Sequence, residues 1–195
     1  MKLNLGCGPD VKEGYVNVDF QDMRENVLNV DLTKLPWEWA DDSVDEILMF
    51  DLLEHFPYKL TNKILDECWR VMKVGAHIEI QVPDFEHCAM AAMGVASSYM
   101  CNVCGSPGNN IGSVSGVRCC AKCKTPASDI AEAAINRLYG GQNVEGNFHY
   151  NAFTKESLTL KLKNTGFKDM MFLEKHHQWM NWNFKISATK TNDAW

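Results

Sequence analysis

Residues Leu3-Asn4-Leu5-Gly6-Cys7-Gly8 carry a short apolar strand into a glycine bend, and Tyr15-Val16-Asn17-Val18-Asp19 follow as a second strand that ends on an acid. Glycine has no side chain to keep a ligand away from the backbone, so a strand that runs into glycines invites close approach. A carboxylate closing the next strand is placed to accept hydrogen bonds from two ribose hydroxyls. The pairing predicts an adenosine-containing ligand at the C-terminal edge of a parallel sheet. The dinucleotide fingerprint requires a further glycine three positions after the second, and that position is Val11. The acid lies 11 residues beyond Gly8, whereas dinucleotide folds place it about 20 residues on. No G-x-x-x-x-G-K-[ST] phosphate loop occurs. Spacing therefore disfavours a nicotinamide cofactor.

Working outward, alternating apolar runs predict strands over Lys2–Leu5, Val16–Asp19, Val27–Asp31, Glu46–Phe50 and His77–Pro83. A helix from about Lys59 to Lys73 carries Leu60, Ile64, Leu65, Cys68, Trp69, Val71 and Met72 at mostly helical spacing, with Gly75 as its stop. The link from Gly8 to Tyr15 is short for a parallel crossover, which implies a first helix reduced to one turn near Pro9–Lys12. Phe85–Met100 reads as helix. Asp129 and Glu132 suggest a capping box opening a helix that reaches Tyr139. Thr154 caps another helix that runs to Asn164 and stops at Gly166. Met170–Leu173 and Asn183–Thr189 read as a final antiparallel pair, and Thr191–Trp195 as a frayed tail.

Five segments in order resemble the class I S-adenosylmethionine (SAM) dependent methyltransferases. Gly6-Cys7-Gly8 is similar to their motif I. Asp31-Leu32-Thr33-Lys34-Leu35-Pro36 resembles the acidic segment after strand three. Asp42–Phe50 resembles strand four, and Asp51-Leu52-Leu53-Glu54-His55 the "vLEH" signature that follows it. Trp69-Arg70-Val71-Met72-Lys73-Val74-Gly75-Ala76 is similar to the "R-x-L-K-P-G-G" run, with Val74 in place of proline. The resemblance covers residues 1–84 and resumes weakly from Gly140 to Lys190. It implies an α/β, Rossmann-like sheet of about seven mostly parallel strands with helices on both faces. It also implies SAM as cofactor, held by Gly6, Cys7 and Gly8 at the methionine end, Asp19 at the ribose, Asp31 and Leu32 at the adenine, and Phe50 and Asp51 where strand four ends.

The chain has 195 residues, 46% of them hydrophobic, and a net charge of −6. That is one domain with a full core, here read as residues 1–195. The acidity argues against a broad nucleic-acid-binding face. No apolar stretch reaches the ~20 residues of a membrane span, and Met1-Lys2 enters a strand directly, so no signal peptide is read. The expected compartment is the cytosol.

Cys101-Asn102-Val103-Cys104 and Cys120-Ala121-Lys122-Cys123 form C-x2-C-x15-C-x2-C, the spacing of a zinc ribbon. Each tight turn presents two thiolates, and four thiolates close a tetrahedron around structural Zn²⁺. Cys119 competes with Cys120 as a ligand. The ribbon would lie within an insertion over residues 101–126, which carries Arg118, Lys122 and Lys124 and no acid. Such an insertion could cover a substrate, dock a protein partner or a second copy in a homodimer, or serve as a stapled loop.

Methyl transfer from a sulfonium is an in-line displacement, so positioning supplies much of the catalysis. A base is needed only when the acceptor must lose a proton. His55 and His149 are the candidate catalytic residues. His55 follows strand four, and His149 lies in Gly146–Thr154, which resembles a segment bordering the family pocket; Tyr150 is a weaker partner. Each histidine has a structural alternative, being held by hydrogen bonds. The leading reading is methyl transfer to a small-molecule or sugar-like acceptor. A second is a SAM-binding scaffold, without turnover, whose ribbon docks a protein partner. A third, nucleic-acid modification, is disfavoured: Asp51-Leu52-Leu53-Glu54 stands where an Asp/Asn-Pro-Pro-Tyr/Phe signature would fall.

Overall fold

A computed structural model describes residues 1–20, 24–93, 111–114, 117–120, 123, 127–142, 146–173 and 182–192. The strands are β1 (Lys2–Leu5), β2 (Val16–Asp19), β3 (Leu28–Asn29), β4 (Val44–Phe50), β5 (Met72–Pro83), β8 (Phe167–Leu173) and β9 (Asn183–Lys190), with the hairpin β6 (Ile111–Val114) and β7 (Val117–Cys120) between them in sequence. Seven of them form one sheet in the order β3-β2-β1-β4-β5-β9-β8. β1 to β5 pair in parallel, and β9 runs antiparallel to both β5 and β8. The α/β, Rossmann-like sheet that the resemblance implies is therefore present.

The sheet has two unlike faces because its strands alternate. Leu3, Leu5, Ile47, Met49, Ile78, Ile80 and Ile186 point to one side and are fully buried. They meet Ile64, Leu65, Cys68 and Val71 of α1 (Tyr58–Val71) and Leu158 and Leu162 of α4 (Lys155–Thr165). Each such aliphatic side chain contributes about 1.5–3 kcal/mol of burial. The alternate positions are mostly polar. Lys2 pairs with Glu46 at 2.7 Å, the Tyr15 hydroxyl donates to Glu46 at 2.6 Å, and Lys185 pairs with Glu79 at 3.2 Å. Among the described residues, helices α1 and α4 share the sheet's core on the first face.

The helical turn expected near Pro9–Lys12 does not form, and the link from β1 to β2 is a run of turns. Two buried asparagines replace it. Asn4 Nδ2 donates to the Asp10 carbonyl at 2.8 Å and to Asn17 Oδ1 at 2.9 Å. Asn17 Oδ1 also accepts from the Lys12 amide at 2.8 Å, and Asn17 Nδ2 donates to the Lys12 carbonyl at 2.9 Å. Side-chain amides thus satisfy backbone groups that a helix would have satisfied itself.

Helix α1 stops at Val71 rather than Lys73, and Gly75 lies inside β5. Other groups take the carbonyls of its last turn. The Asp42 and Ser43 amides donate to Arg70 and Val71 at 3.1 and 2.8 Å, and the buried Lys190 ammonium donates to Trp69 and Met72 at 2.8 and 2.7 Å. With these partners the chain leaves the helix without a glycine. Helix α4 starts as expected, Thr154 and Ser157 capping each other reciprocally, and ends at Gly166.

Helices α2 (Phe85–Ala92) and α3 (Ala127–Tyr139) pair through Cys88, Ala91 and Ala134 with Trp182. They stand beyond the C-terminal end of β5, where the Asp84 amide donates to the Trp182 carbonyl at 2.6 Å. The β6–β7 hairpin is a separate two-stranded sheet lying against α3. Residues 94–110 lie outside the described set, and with them the end of the helix expected to reach Met100. Helix α3 begins at Ala127, two residues before Asp129, so Asp129 lies within its first turn and does not cap it as expected.

Candidate active site

The C-terminal edge of the parallel strands gathers three groups of side chains. The first is the glycine bend. Gly6 and Gly8 both take positive φ, 64° and 46°, conformations that cost an L side chain roughly 1–2 kcal/mol. A Cβ on Gly6 would stand 2.7 Å from Leu52 Cδ1, whereas one on Gly8 would meet nothing within 4 Å. Gly8 therefore borders open space. Asp19 closes the bend: Oδ2 accepts from the Gly8 amide at 2.6 Å and Oδ1 from the Phe20 amide at 2.7 Å. Each oxygen retains a second lone-pair direction for a ligand. The Arg24 guanidinium donates to the Gly8 carbonyl. Cys7 is buried and its amide donates to Val18 at 3.0 Å, as befits a core filler.

Asp31 turns into its own loop. Oδ1 accepts from the Thr33 hydroxyl at 2.6 Å and the Thr33 amide at 3.0 Å. Those bonds, with Lys34 nearby, hold the carboxyl below its usual range against the opposing effect of burial. Leu32 is buried, and its carbonyl accepts from Trp37 Nε1 at 3.1 Å. Phe50 lies on the polar face, with the Lys185 ammonium 3.9 Å from its ring centroid.

The second group centres on Asp51, a non-glycine residue at φ 51°. Its carboxylate accepts from Gln81 Nε2 at 2.6 Å and from Arg137 of α3 at 2.9 Å, and also from Asn183. Arg137 in turn donates to Asn183 Oδ1 at 2.7 Å. The ends of β4, β5 and β9 are thereby tied to α3.

The third group joins the two candidate histidines. Glu54 and His55 lie on a 3-10 turn, Leu53–His55, that follows β4, and His149 lies on the segment leading to α4. The Tyr150 and Asn151 amides donate to the Glu54 carbonyl at 2.9 and 3.1 Å, which holds the two stretches together. One donor atom from each of Glu54, His55 and His149 lies within 4.8 Å of the other two. The imidazoles meet edge to face, 4.7 Å between centroids. A carbonyl can only accept, so the 3.0 Å contact between His55 Nδ1 and the Phe148 carbonyl places a proton on Nδ1, and in the neutral ring Nε2 is then the bare nitrogen. The Glu54 carboxyl is buried with neither oxygen hydrogen-bonded among the described residues. Burial, then the charge of Asp51, pushes it up to about 8. Burial, then His55 and Arg137, pushes His149 down to about 4.

Sequence reasoning put both histidines and Asp19 near the pocket, and the structure brings the histidines together and joins Asp19 to the bend. It missed Glu54 as a chemical group, although an acid beside His55 was a visible signal. It also missed Arg137, Gln81 and Asn183, which no spacing singled out. Of the four proposed zinc ligands, Cys101 and Cys104 lie outside the described residues, Cys120 ends β7, and Cys123 is half-buried in a turn.

Residues 3–80 match the family described as "Methyltransferase domain". No curated protein matches the chain. Among solved structures, a SAM-dependent methyltransferase from Archaeoglobus fulgidus is 15% identical with a TM-score of 0.55, covering 97% of this chain and 85% of its own. The 1,6-didemethyltoxoflavin-N1-methyltransferase of Burkholderia thailandensis, with bound 1,6-didemethyltoxoflavin and S-adenosylhomocysteine, is 12% identical with a TM-score of 0.53, covering 98% and 71%. Human N-acetylserotonin methyltransferase in complex with SAM is 13% identical with a TM-score of 0.51, covering 98% of this chain and 47% of its own. The fold is thus shared with SAM-dependent methyltransferases. The matched segment supports enzymatic activity of the methyltransferase class.

Proposed function

We propose that the protein transfers a methyl group from SAM to a small-molecule or sugar-like acceptor. The observation that carries this reading is the Gly6–Gly8 bend, open at Gly8, with the Asp19 carboxylate bonded to its amide. A nucleoside suits that place: backbone without side chains leaves room directly beside an acceptor-only carboxylate with spare lone pairs for ribose hydroxyls. Gly6, Cys7, Gly8 and Asp19 would hold SAM, with Asp31 and Leu32 at the adenine and Phe50 and Asp51 beside the end of β4. Bound there, SAM supplies an electrophilic methyl group.

The chain's own residues do the rest. Arg137 and Gln81 fix Asp51 at the end of β4. His55 is anchored through Nδ1, so its Nε2 lone pair can take a proton from an acceptor hydroxyl or amine. His149 packs against it as a neutral ring. The 1,6-didemethyltoxoflavin bound in the Burkholderia enzyme accords with a small acceptor. A scaffold without turnover is not favoured.

The remaining parts of the reading are a single domain over 1–195 with residues 101–126 inserted in it, structural zinc on Cys101, Cys104, Cys120 and Cys123, and a cytosolic enzyme in which a partner or second copy docks on the insertion. Their support is the cysteine spacing and composition. Among the described residues no helix is long and apolar enough to cross a membrane. Isothermal titration with SAM and S-adenosylhomocysteine tests the central reading: micromolar binding of either is expected, and no heat from both overturns it.

A further inference from the structure

We infer that Glu54, His55 and His149 form a binding site for one divalent transition-metal ion. Three observations converge on it. The donor atoms lie within 4.8 Å of one another, and an ion bonded at ~2.1 Å to each would draw them to about 3.5 Å, a change within reach of side-chain rotation. Glu54 is 1% exposed, and neither carboxylate oxygen has a hydrogen-bond partner among the described residues. The ring atom Nδ1 of His149 is likewise buried, with no hydrogen-bond partner among the described residues. Buried polar groups left unsatisfied are costly, and a cation between them satisfies both residues at once. Finally, His55 donates through Nδ1 to the Phe148 carbonyl at 3.0 Å. That outer bond is the one metal-bound histidines make, because it fixes the tautomer and aims the bare nitrogen at the ion.

Two imidazoles and a carboxylate select zinc, iron(II), cobalt or nickel over magnesium and calcium, which prefer all-oxygen sets. Three protein donors leave coordination positions open. The site adjoins the glycine bend through Leu52, whose side chain borders Gly6. What the ion would do there rests on the methyltransferase reading. An acceptor hydroxyl bound at an open position loses its proton more readily: the O–H bond breaks, the electron pair stays on oxygen, and the proton passes to bulk water. The two histidines then hold the ion instead of taking the proton themselves.

The test uses the full chain with its cysteines first loaded with stoichiometric Zn²⁺, and Co²⁺ as the probe. Expected is one equivalent of Co²⁺ giving the weak visible bands of a nitrogen and oxygen ligand set, without an intense sulfur-to-metal band. Glu54→Gln and His149→Gln should each weaken that binding at least tenfold, with folding checked by circular dichroism. Should either fail to fold, His55→Gln at the more exposed corner reads the same loss. No Co²⁺ bound beyond the zinc, or equal affinity in all three variants, overturns the site. SAM titration on the same samples separates the two ideas. Co²⁺ bound with no SAM binding sinks the methyltransferase reading alone, and SAM bound with no Co²⁺ sinks the metal site alone.

Discussion

Alanine at position 6 and alanine at position 8 should damage the protein in different ways, although both glycines take positive φ. Gly8→Ala meets only the backbone penalty, roughly 1–2 kcal/mol, since its Cβ enters open space. For a chain of this size about 1 kcal/mol lowers Tm by ~2–4 °C, so a fall of about 2–8 °C is expected. Gly6→Ala bears the same penalty, and its Cβ also collides with the end of Leu52, 2.7 Å from Cδ1 and 3.0 Å from Cδ2 and Cγ. Leu52 can move in part, so overpacking adds about 1 kcal/mol, the low end of its range. In urea melts Gly6→Ala should be the less stable variant by about that amount. Adding Leu52→Ala should recover much of the difference, a non-additivity of about 1 kcal/mol between residues in contact. Ligand titration should show the reverse order. The Gly8 methyl group occupies the side from which a nucleoside must approach, so SAM should bind at least ~10-fold more weakly, about 1.4 kcal/mol. Wild-type SAM affinity in Gly8→Ala, or additive losses in the Gly6 and Leu52 pair, would refute this account of the bend.

Asp19→Asn keeps an acceptor for the Gly8 amide but loses charge-assisted bonds to a ribose, and calorimetry should find SAM affinity ~10–100-fold lower. Lys190→Met leaves the Trp69 and Met72 carbonyls without their ammonium donor, and thermal melts should show a loss of about 3 kcal/mol. Glu67 accepts from Arg70 at 2.6 and 3.1 Å and from the Trp37 amide at 2.6 Å, and the Arg70 bond, ahead of the others, holds its carboxyl below the usual range. The unfolded chain therefore binds this proton more readily than the fold, so the residue's contribution is complete above its ordinary pKa and is lost as pH falls through the folded one. Glu67→Gln should be destabilised at pH 7, and its deficit against wild type should shrink toward pH 3 in urea titrations followed across that range.

The succession of strands along the chain was legible because glycines, alternation and one acid fall at fixed places, and β1, β2 and β9 lie within a residue of where the sequence puts them. Three misreadings have physical causes. The turn expected at Pro9–Lys12 presumed that a crossover needs a helix, whereas Asn4 and Asn17 supply the missing partners across 13 residues of sequence. Gly75 looked like a helix stop, but α1 is closed by Lys190, 118 residues beyond Met72. The third concerns chemistry. His55 and His149 stood out as single residues, while Glu54, buried between strand and pocket, read as part of a motif and not as a donor. Partnerships made through space, like that of Arg137 with Asp51 across 86 positions, leave no periodic trace in a chain.

The asparagine-held link between β1 and β2 has a dynamic consequence. A helix melts turn by turn from its ends, each rung protecting its own amide. Here the Lys12 and Asp10 backbone groups depend on two neighbouring side chains that also bind each other. Breaking that embrace frees the whole stretch together, so its amide hydrogens should exchange with solvent as one cooperative unit, and a bound nucleoside should slow them all by the same factor.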